Sequence, residues 1–480
     1  MRYSATHVLC AIGLGLLPAG TVLAQAAPDP YSQPVTCNAN TFVDPAALSP
    51  LMPCDAPTSQ KMNPALPATM TPGLIQESFD TFSWQSFVAL NWPADGTAIG
   101  KGKDPGGDAP AVWQGWMDAF ALMTANPPAW GSAPPLPAAC KGLPAGTLLS
   151  MVGKTPDLLT ASTQPFDSGP LIDQNGRYTR FQILVNKPMY DFIVGNRLTT
   201  KEGQAAYKPT VTPPNSTVPT MTFPGSFQTG PVTSGTPVAT APGYDGAVML
   251  KLAYKVMGPT DDPARFHTLK ALVYTAGATP EQDSCVAETV GLVGLHVGNK
   301  VQRFPQWVWS TFEHARNAPE QAQVDAGTAK GPYNYYNAAC TAKDCPPNQP
   351  PPRPWNPAVQ PFPGGYKTQV TRVIALADAY KAINAKWQAP LAGTVWANYE
   401  LIGTQWPTQP DNQASPTGYS FPLFLANTTM ETYTQGTVPQ SSSTCIGCHN
   451  NAVDTAGRPS DFTYILSLAA KKIFPAAHAP

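Results

Sequence analysis

The sequence predicts an α+β protein: an antiparallel sheet core with flanking helices and long proline-rich loops. Three observations support this class. Runs between residues 177 and 314 alternate apolar and polar side chains and are rich in β-branched and aromatic residues, the pattern of antiparallel strands. Segments on either side carry apolar residues at helical spacing. Proline is abundant, 56 of 480 residues, so many connections must be irregular.

The elements follow in chain order. Residues 1–26 read as a signal peptide: Arg2 supplies positive charge, an apolar stretch starts near Val8, and "VLAQA" offers cleavage after Ala24 or Ala26. The apolar run is short and broken by Pro18, so it is not a membrane span, and no other segment predicts one in the mature chain. Residues 27–73 lack periodicity and read as an extended Pro-rich arm. The mixed helix and sheet region is expected over 74–366. Its first helix spans 74–93, with Ile75, Phe79 and Phe82 on one face and Pro93 as the stop. "VWQGWMDAFALM" (112–123) repeats that spacing through Trp113, Trp116, Phe120 and Met123. Both aromatic stripes read as core. Strands are expected over 177–187, 246–258, 265–275, 289–298 and 305–314, with long loops over 208–246 and 345–365. The region 367–480 is expected to be helical, opening with a stripe through Val370, Val373, Ile374, Ala377 and Tyr380.

Charge narrows the partners. Charged residues are 12% of the chain, the formal net charge is −1, and no basic run offers a phosphate-binding face, so nucleic acid is not an expected partner. Of nine cysteines, Cys10 falls in the signal peptide, without the context of a lipid anchor. Cys445 and Cys448 form a special pair. The remaining six suit three disulfides in an oxidising compartment. Sequence leaves their connectivity open. Short loops favour Cys37–Cys54 and Cys340–Cys345, leaving Cys140–Cys285, with free thiols as the alternative.

The segment "STCIGCHN" (443–450) carries the chemistry. Cys445 and Cys448 stand one helical turn apart and His449 follows, the spacing by which a c-type haem is attached. Both thiols can reach the porphyrin vinyl groups, and His449 can turn to the iron as proximal ligand. A redox-active Cys-x-x-Cys pair or half of a zinc site are the alternatives. Neither needs the adjacent histidine, and there is no second Cys-x-x-Cys. One covalent haem c is therefore the expected cofactor.

Only 31 residues follow His449 and none is Met, so a sixth iron ligand must come from upstream or be absent. His314, ending "WVWSTFEH", is the first candidate distal ligand. His296, on an apolar strand face with Val290, Leu292 and Gly294, and Met430 in "NTTMETY" are weaker ones, and water or an open site is the alternative. His267 reads as exposed, and His478 lies close to the chain end. Neighbouring Glu313 and His314 would point to opposite faces of a strand.

The blocks "ESFDTFSWQSFVALNWP", "GLHVGNKVQRFPQWVWSTFEH", "VWANYELIGTQWP" and "SSSTCIGCHN…SDFTYILSLA" resemble a family of bacterial exported cytochrome c family proteins. The resemblance implies a monohaem c-type protein with a large non-haem region, in which Cys445, Cys448 and His449 hold the haem. The expected function is periplasmic electron transfer with a periplasmic or membrane redox partner. A haem-dependent oxidoreductase or peroxidase with an open distal site is the alternative, and a haem-bearing scaffold or sensor a third. The chain is expected in the periplasm or secreted. No catalytic residue, nucleotide fingerprint or nucleophile elbow is assigned.

Overall fold

A computed structural model describes residues 34–39, 48–56, 58–59, 67–100, 109–150, 169–212, 217–231, 240–277, 279–340, 343–357, 359–408, 420–436 and 444–470. The expected signal peptide and His478 lie outside the described residues. The strands are β1 (Pro34–Asn38), β2 (Met117–Asp118), β3 (Thr147–Leu149), β4 (Arg180–Val185), β5 (Phe227–Gln228) and β6 (Thr240–Tyr244). They continue with β7 (Val248–Val256), β8 (Thr268–Thr275), β9 (Ser284–Val301), β10 (Phe304–His314), β11 (Tyr399–Pro407) and β12 (Ser420–Phe421). The α-helices are α1 (Pro72–Leu90), α2 (Ala119–Leu122), α3 (Lys187–Gly195), α4 (Lys201–Ala206), α5 (Gln321–Asp325), α6 (Asp378–Gln388) and α7 (Cys445–His449).

The architecture is α+β, as predicted. Nine strands form one sheet whose main path runs β12-β11-β10-β9-β7-β4-β2, with β8 on β9 and β3 on β8. Every pairing in it is antiparallel except β3 with β8. β1, β5 and β6 make a separate three-stranded sheet. The loop expected over 208–246 thus contains two short strands.

The two faces of the large sheet are covered differently. On the first, Leu250, Leu252, Leu295, Val297 and Phe312 pack with Trp84 and Phe87 of α1 and Trp387 of α6 in one buried cluster. On the second, Val185, Met249, Ala253 and Trp309 pack with Met189 and Ile193 of α3 and with Ile446 of α7. The start of α1 follows from Thr71, whose hydroxyl accepts from Leu74 N, and from Pro72 in the first turn. The helix ends at Leu90, just before Asn91 and Pro93.

Two helical expectations are corrected. Residues 112–123 do not form one helix. A 3₁₀ turn, Val112–Gly115, leads through extended Trp116 into β2, and Asp118 then caps the single turn of α2 by accepting from Phe120 N and Ala121 N. The Asp side chain restarts the helix in a new direction. The stripe from Val370 to Ala377 is likewise not helical, and α6 starts only at Asp378. Val370 N donates to Tyr335 O and Arg372 N to Pro319 O, so this backbone is already committed across the fold. Nor is the C-terminal region only helical, because β11 joins the large sheet beside β10.

All three disulfides have the expected connectivity, Cys37–Cys54, Cys140–Cys285 and Cys340–Cys345. Three disulfides fit an extracellular or secreted protein. No helix among the described residues is long and apolar enough to cross a membrane.

The longest closed loop, 145 residues between Cys140 and Cys285, should contribute most to stability. Replacing both cysteines by Ser is expected to cost about 4–5 kcal/mol from chain entropy alone. Urea unfolding checks this, and an unchanged midpoint would contradict it.

Candidate haem site

The site is built on β10 and β11. α7 has five residues, too few to persist alone, so its neighbours must hold it. Gln405 of β11 is fully buried, and its Oε1 accepts from both Ile446 N and Thr444 Oγ1 at 2.8 Å. Its Nε2 donates to Pro422 O at 2.8 Å. One glutamine thereby fixes the start of the motif helix. Ile446 is the buried anchor of the helix. Cys445 and Cys448 are thiols, each partly buried.

His449 is oriented from two sides. Its ring lies 4.2 Å, centroid to centroid, from the indole of Trp309 on β10. Its Nδ1 is 2.7 Å from Phe462 O. A carbonyl only accepts, so Nδ1 carries a proton, and in the neutral ring the lone pair is then on Nε2. Tyr464 closes a third side: its ring meets the imidazole edge-on at 5.4 Å and its hydroxyl donates to Cys448 O at 2.8 Å. Burial and the adjacent Cys448 hold the Tyr464 phenol above its ordinary pKa. The donor set is therefore two thiols one turn apart and one oriented imidazole, a set that fits a covalently held haem with a histidine axial ligand.

The segment after the motif is a tight loop. Asp454 accepts from Ala456 N and from Arg458 N, each at 2.9 Å, and from Arg458 Nε at 2.9 Å. Gln204 of α4 accepts from Thr455 N at 2.9 Å. Asp461 and Phe462 follow with left-handed backbones, φ 51° and 63°. These contacts deliver the Phe462 carbonyl to His449.

The distal candidates are placed apart from one another. His314 faces away from the motif: its ring stacks on Phe266 at 4.3 Å, its Nε2 lies 3.0 Å from Arg265 O, and its Nδ1 accepts from Arg316 N at 3.1 Å. Both ring nitrogens are committed, so the assignment of His314 as distal ligand is corrected. Glu313 does point to the opposite face, accepting from Thr428 N at 2.6 Å, from the Thr428 hydroxyl, and from Arg372 at 3.1 Å.

His296 is also on a different face from the one expected. A bulge sets Ala253 opposite Gly294 but Tyr254 opposite Leu292, so one residue of β9 has no counterpart. The alternation inverts there. Gly294 and His296 share the second face, with Trp309, while Val290 and Leu292 belong to the first. His296 Nε2 lies 3.1 Å from Glu431. Met430, next to that glutamate, is fully buried in the same cluster as Trp309, Ile446 and Phe462. Of the three distal candidates, His296 and Met430 are brought to the side of the sheet that carries the motif, and His314 is not.

His267 is buried, not exposed: it stacks on Trp396 at 4.6 Å. The sequence alone does not single out Trp309, Gln405, Phe462 or Tyr464 as supports of the motif. The short run from His449 to Tyr464 is the available signal, since a compact loop of about that length can bring its ends together. Among the described residues, no group of three or more His, Cys, Asp or Glu side chains converges on a metal position. No family model, curated protein or solved structure matches this chain.

Burial pushes His267 down to about 4 and His314 down to about 3. In the unfolded chain both titrate near 6.5, so the fold keeps neutral two groups that the open chain protonates. Their stabilising contribution is present above pH ~6.5 and is lost as pH falls toward those lower values. The ring resonances of both should not titrate between about pH 7 and about pH 5. His314→Ala should destabilise by about 1–3 kcal/mol through its lost hydrogen bonds, read by urea unfolding.

Proposed function

We propose that this chain is a periplasmic monohaem c-type cytochrome acting in electron transfer. The carrying observation is the set Cys445, Cys448 and His449 on one short helix, with the imidazole tautomer fixed by the Phe462 carbonyl at 2.7 Å. Haem bound there would supply a one-electron couple. The chain's own residues do the rest. Cys445 and Cys448 would tether the haem, His449 would present Nε2 to it, and Trp309 and Tyr464 bracket the imidazole. The three disulfides support export, which c-type attachment also requires. The redox partner would be periplasmic or membrane-borne.

A second reading, a haem-dependent oxidoreductase or peroxidase with an open distal site, has one observation in its favour. Ile183, Lys251, His296 and Thr311 stand in register across β4, β7, β9 and β10. The first three are partly exposed, although most of the sheet around them is buried. Lys251 Nζ sits 5.0 Å over the Phe181 ring, and Glu431 pairs with His296. Proton-handling groups thus stand on the same sheet face as Trp309.

Protein exported with c-type maturation factors should give a haem-stained band on a denaturing gel, and a Cys445→Ala, Cys448→Ala double variant should lose it. An unstained wild type would end the haem reading. The oxidised spectrum then separates the two functions. Low-spin iron supports the carrier, whereas high-spin iron that reacts with peroxide supports the enzyme. His314→Ala should leave either spectrum unchanged.

A further inference from the structure

The carbonyl that orients His449 belongs to a residue whose backbone is strained, and a buried ion pair holds it. Asp461 and Phe462 are consecutive non-glycine residues with φ of 51° and 63°. Such backbones persist only where their surroundings determine them. Here the determining contacts converge on the Asp461 carboxylate. One oxygen accepts from Lys300 Nζ at 2.6 Å and the other from Phe223 N at 2.7 Å. Lys300 lies near the end of β9 and also donates to Pro305 O at 2.6 Å. Its side chain is 2% exposed and that of Asp461 is 0% exposed. On the other side of Phe462, Thr463 Oγ1 reaches Met249 Sδ on β7 at 3.6 Å.

Lys300 touches neither His449 nor the two motif cysteines in any of these contacts. Its hydrogen-bonded route to the motif runs from Lys300 to Asp461, through the peptide to Phe462 O, and from Phe462 O to His449 Nδ1, while a looser chain of ring contacts runs through Trp307 and Trp309. A hydrogen bond from the far nitrogen of a ligating imidazole raises the basicity of the near one. A more basic Nε2 favours ferric over ferrous iron.

We propose that Lys300 and Asp461 are a positioning pair that sets the His449 Nδ1–Phe462 O hydrogen bond and thereby the reduction potential of the haem. The proposal rests on the haem reading above. Charge and position make different predictions, because breaking the pair one side at a time changes the local charge, whereas replacing both members does not. Lys300→Met removes a positive charge and Asp461→Asn a negative one. The double variant Lys300→Met, Asp461→Asn is neutral and close in volume.

The measurement is a spectroelectrochemical titration of the covalently loaded full chain, with haem content read from a stained gel. If the pair positions the carbonyl, all three variants shift to higher potential. The double variant should move by about tenfold in the oxidised-to-reduced equilibrium, or about 59 mV for one electron. A double variant that returns to the wild-type potential, with single variants displaced in opposite directions, would show a charge effect only and overturn the proposal. So would unmoved potentials in folded, loaded variants. Each single variant leaves a buried charge without its counter-ion, and where these fail to fold the neutral double variant carries the test. A wild type without covalent haem would instead overturn the haem reading and this inference with it. Stained wild type with an unmoved double variant overturns the inference alone.

Discussion

Trp309 against His449 ties a motif near the end of the chain to a strand formed more than a hundred residues earlier. α7 is a single turn and has no means of fixing its own direction. Its direction comes from β10, through the Trp309 indole, and from β11, through the Gln405 amide. These strands pair Trp309 with Gln405, so the two anchors are direct neighbours in the ladder. A one-residue slip between β10 and β11 would send both side chains to the wrong positions. The register of the sheet is thus a condition for the site.

That dependence explains what could be read from the sequence and what could not. The strands β7, β8, β9 and β10 follow from alternation, and α1 from a helical stripe closed by Pro93, because both signals are local. The number of disulfides is expected from the cysteine count, and short loops favour the pairings observed. The failures are nonlocal. Val370 and Ile374 have helical spacing, but hydrogen bonds to residues such as Tyr335 take up the backbone first. His296 was assigned to the face of Leu292, and a single bulge on β9 inverts that alternation. His314 sits in a block of aromatics, which made it attractive as a ligand. The aromatic that reaches the motif is Trp309, and His314 stacks on Phe266 instead. The motif helix itself is local, since α7 is built from five consecutive residues.

The second face of the sheet is also where buried charge collects. Glu313 meets Arg372 at 3.1 Å and accepts from the Thr428 backbone, which pins the 427–435 segment against β10. Glu431 of that segment accepts from Asn427 N at 3.0 Å and pairs with His296. A Cβ at Gly294 would collide with Thr429 Oγ1, so β9 needs glycine there for the segment to lie down. Buried ion pairs add little net stability compared with apolar packing. Their effect here is arrangement: irregular segments with few apolar residues are fixed onto a sheet by charges that accept only one partner geometry.

The size of the chain relative to its motif follows from the same reasoning. Under the proposed function, covalent attachment would need only the five residues of α7. Holding His449 in one tautomer requires the Phe462 carbonyl, and placing that carbonyl requires two left-handed residues in succession. Those residues require a carboxylate anchored from β9, whose register near Lys300 is set by its pairing with β7 and β10. β10 is in turn covered on its other face by α1, through Trp84 and Phe87 against Phe312. Each support is itself supported, and the sequence ends in main-chain pairing across a nine-stranded sheet. A short motif whose histidine is oriented by distant side chains needs a scaffold large enough to keep those side chains still.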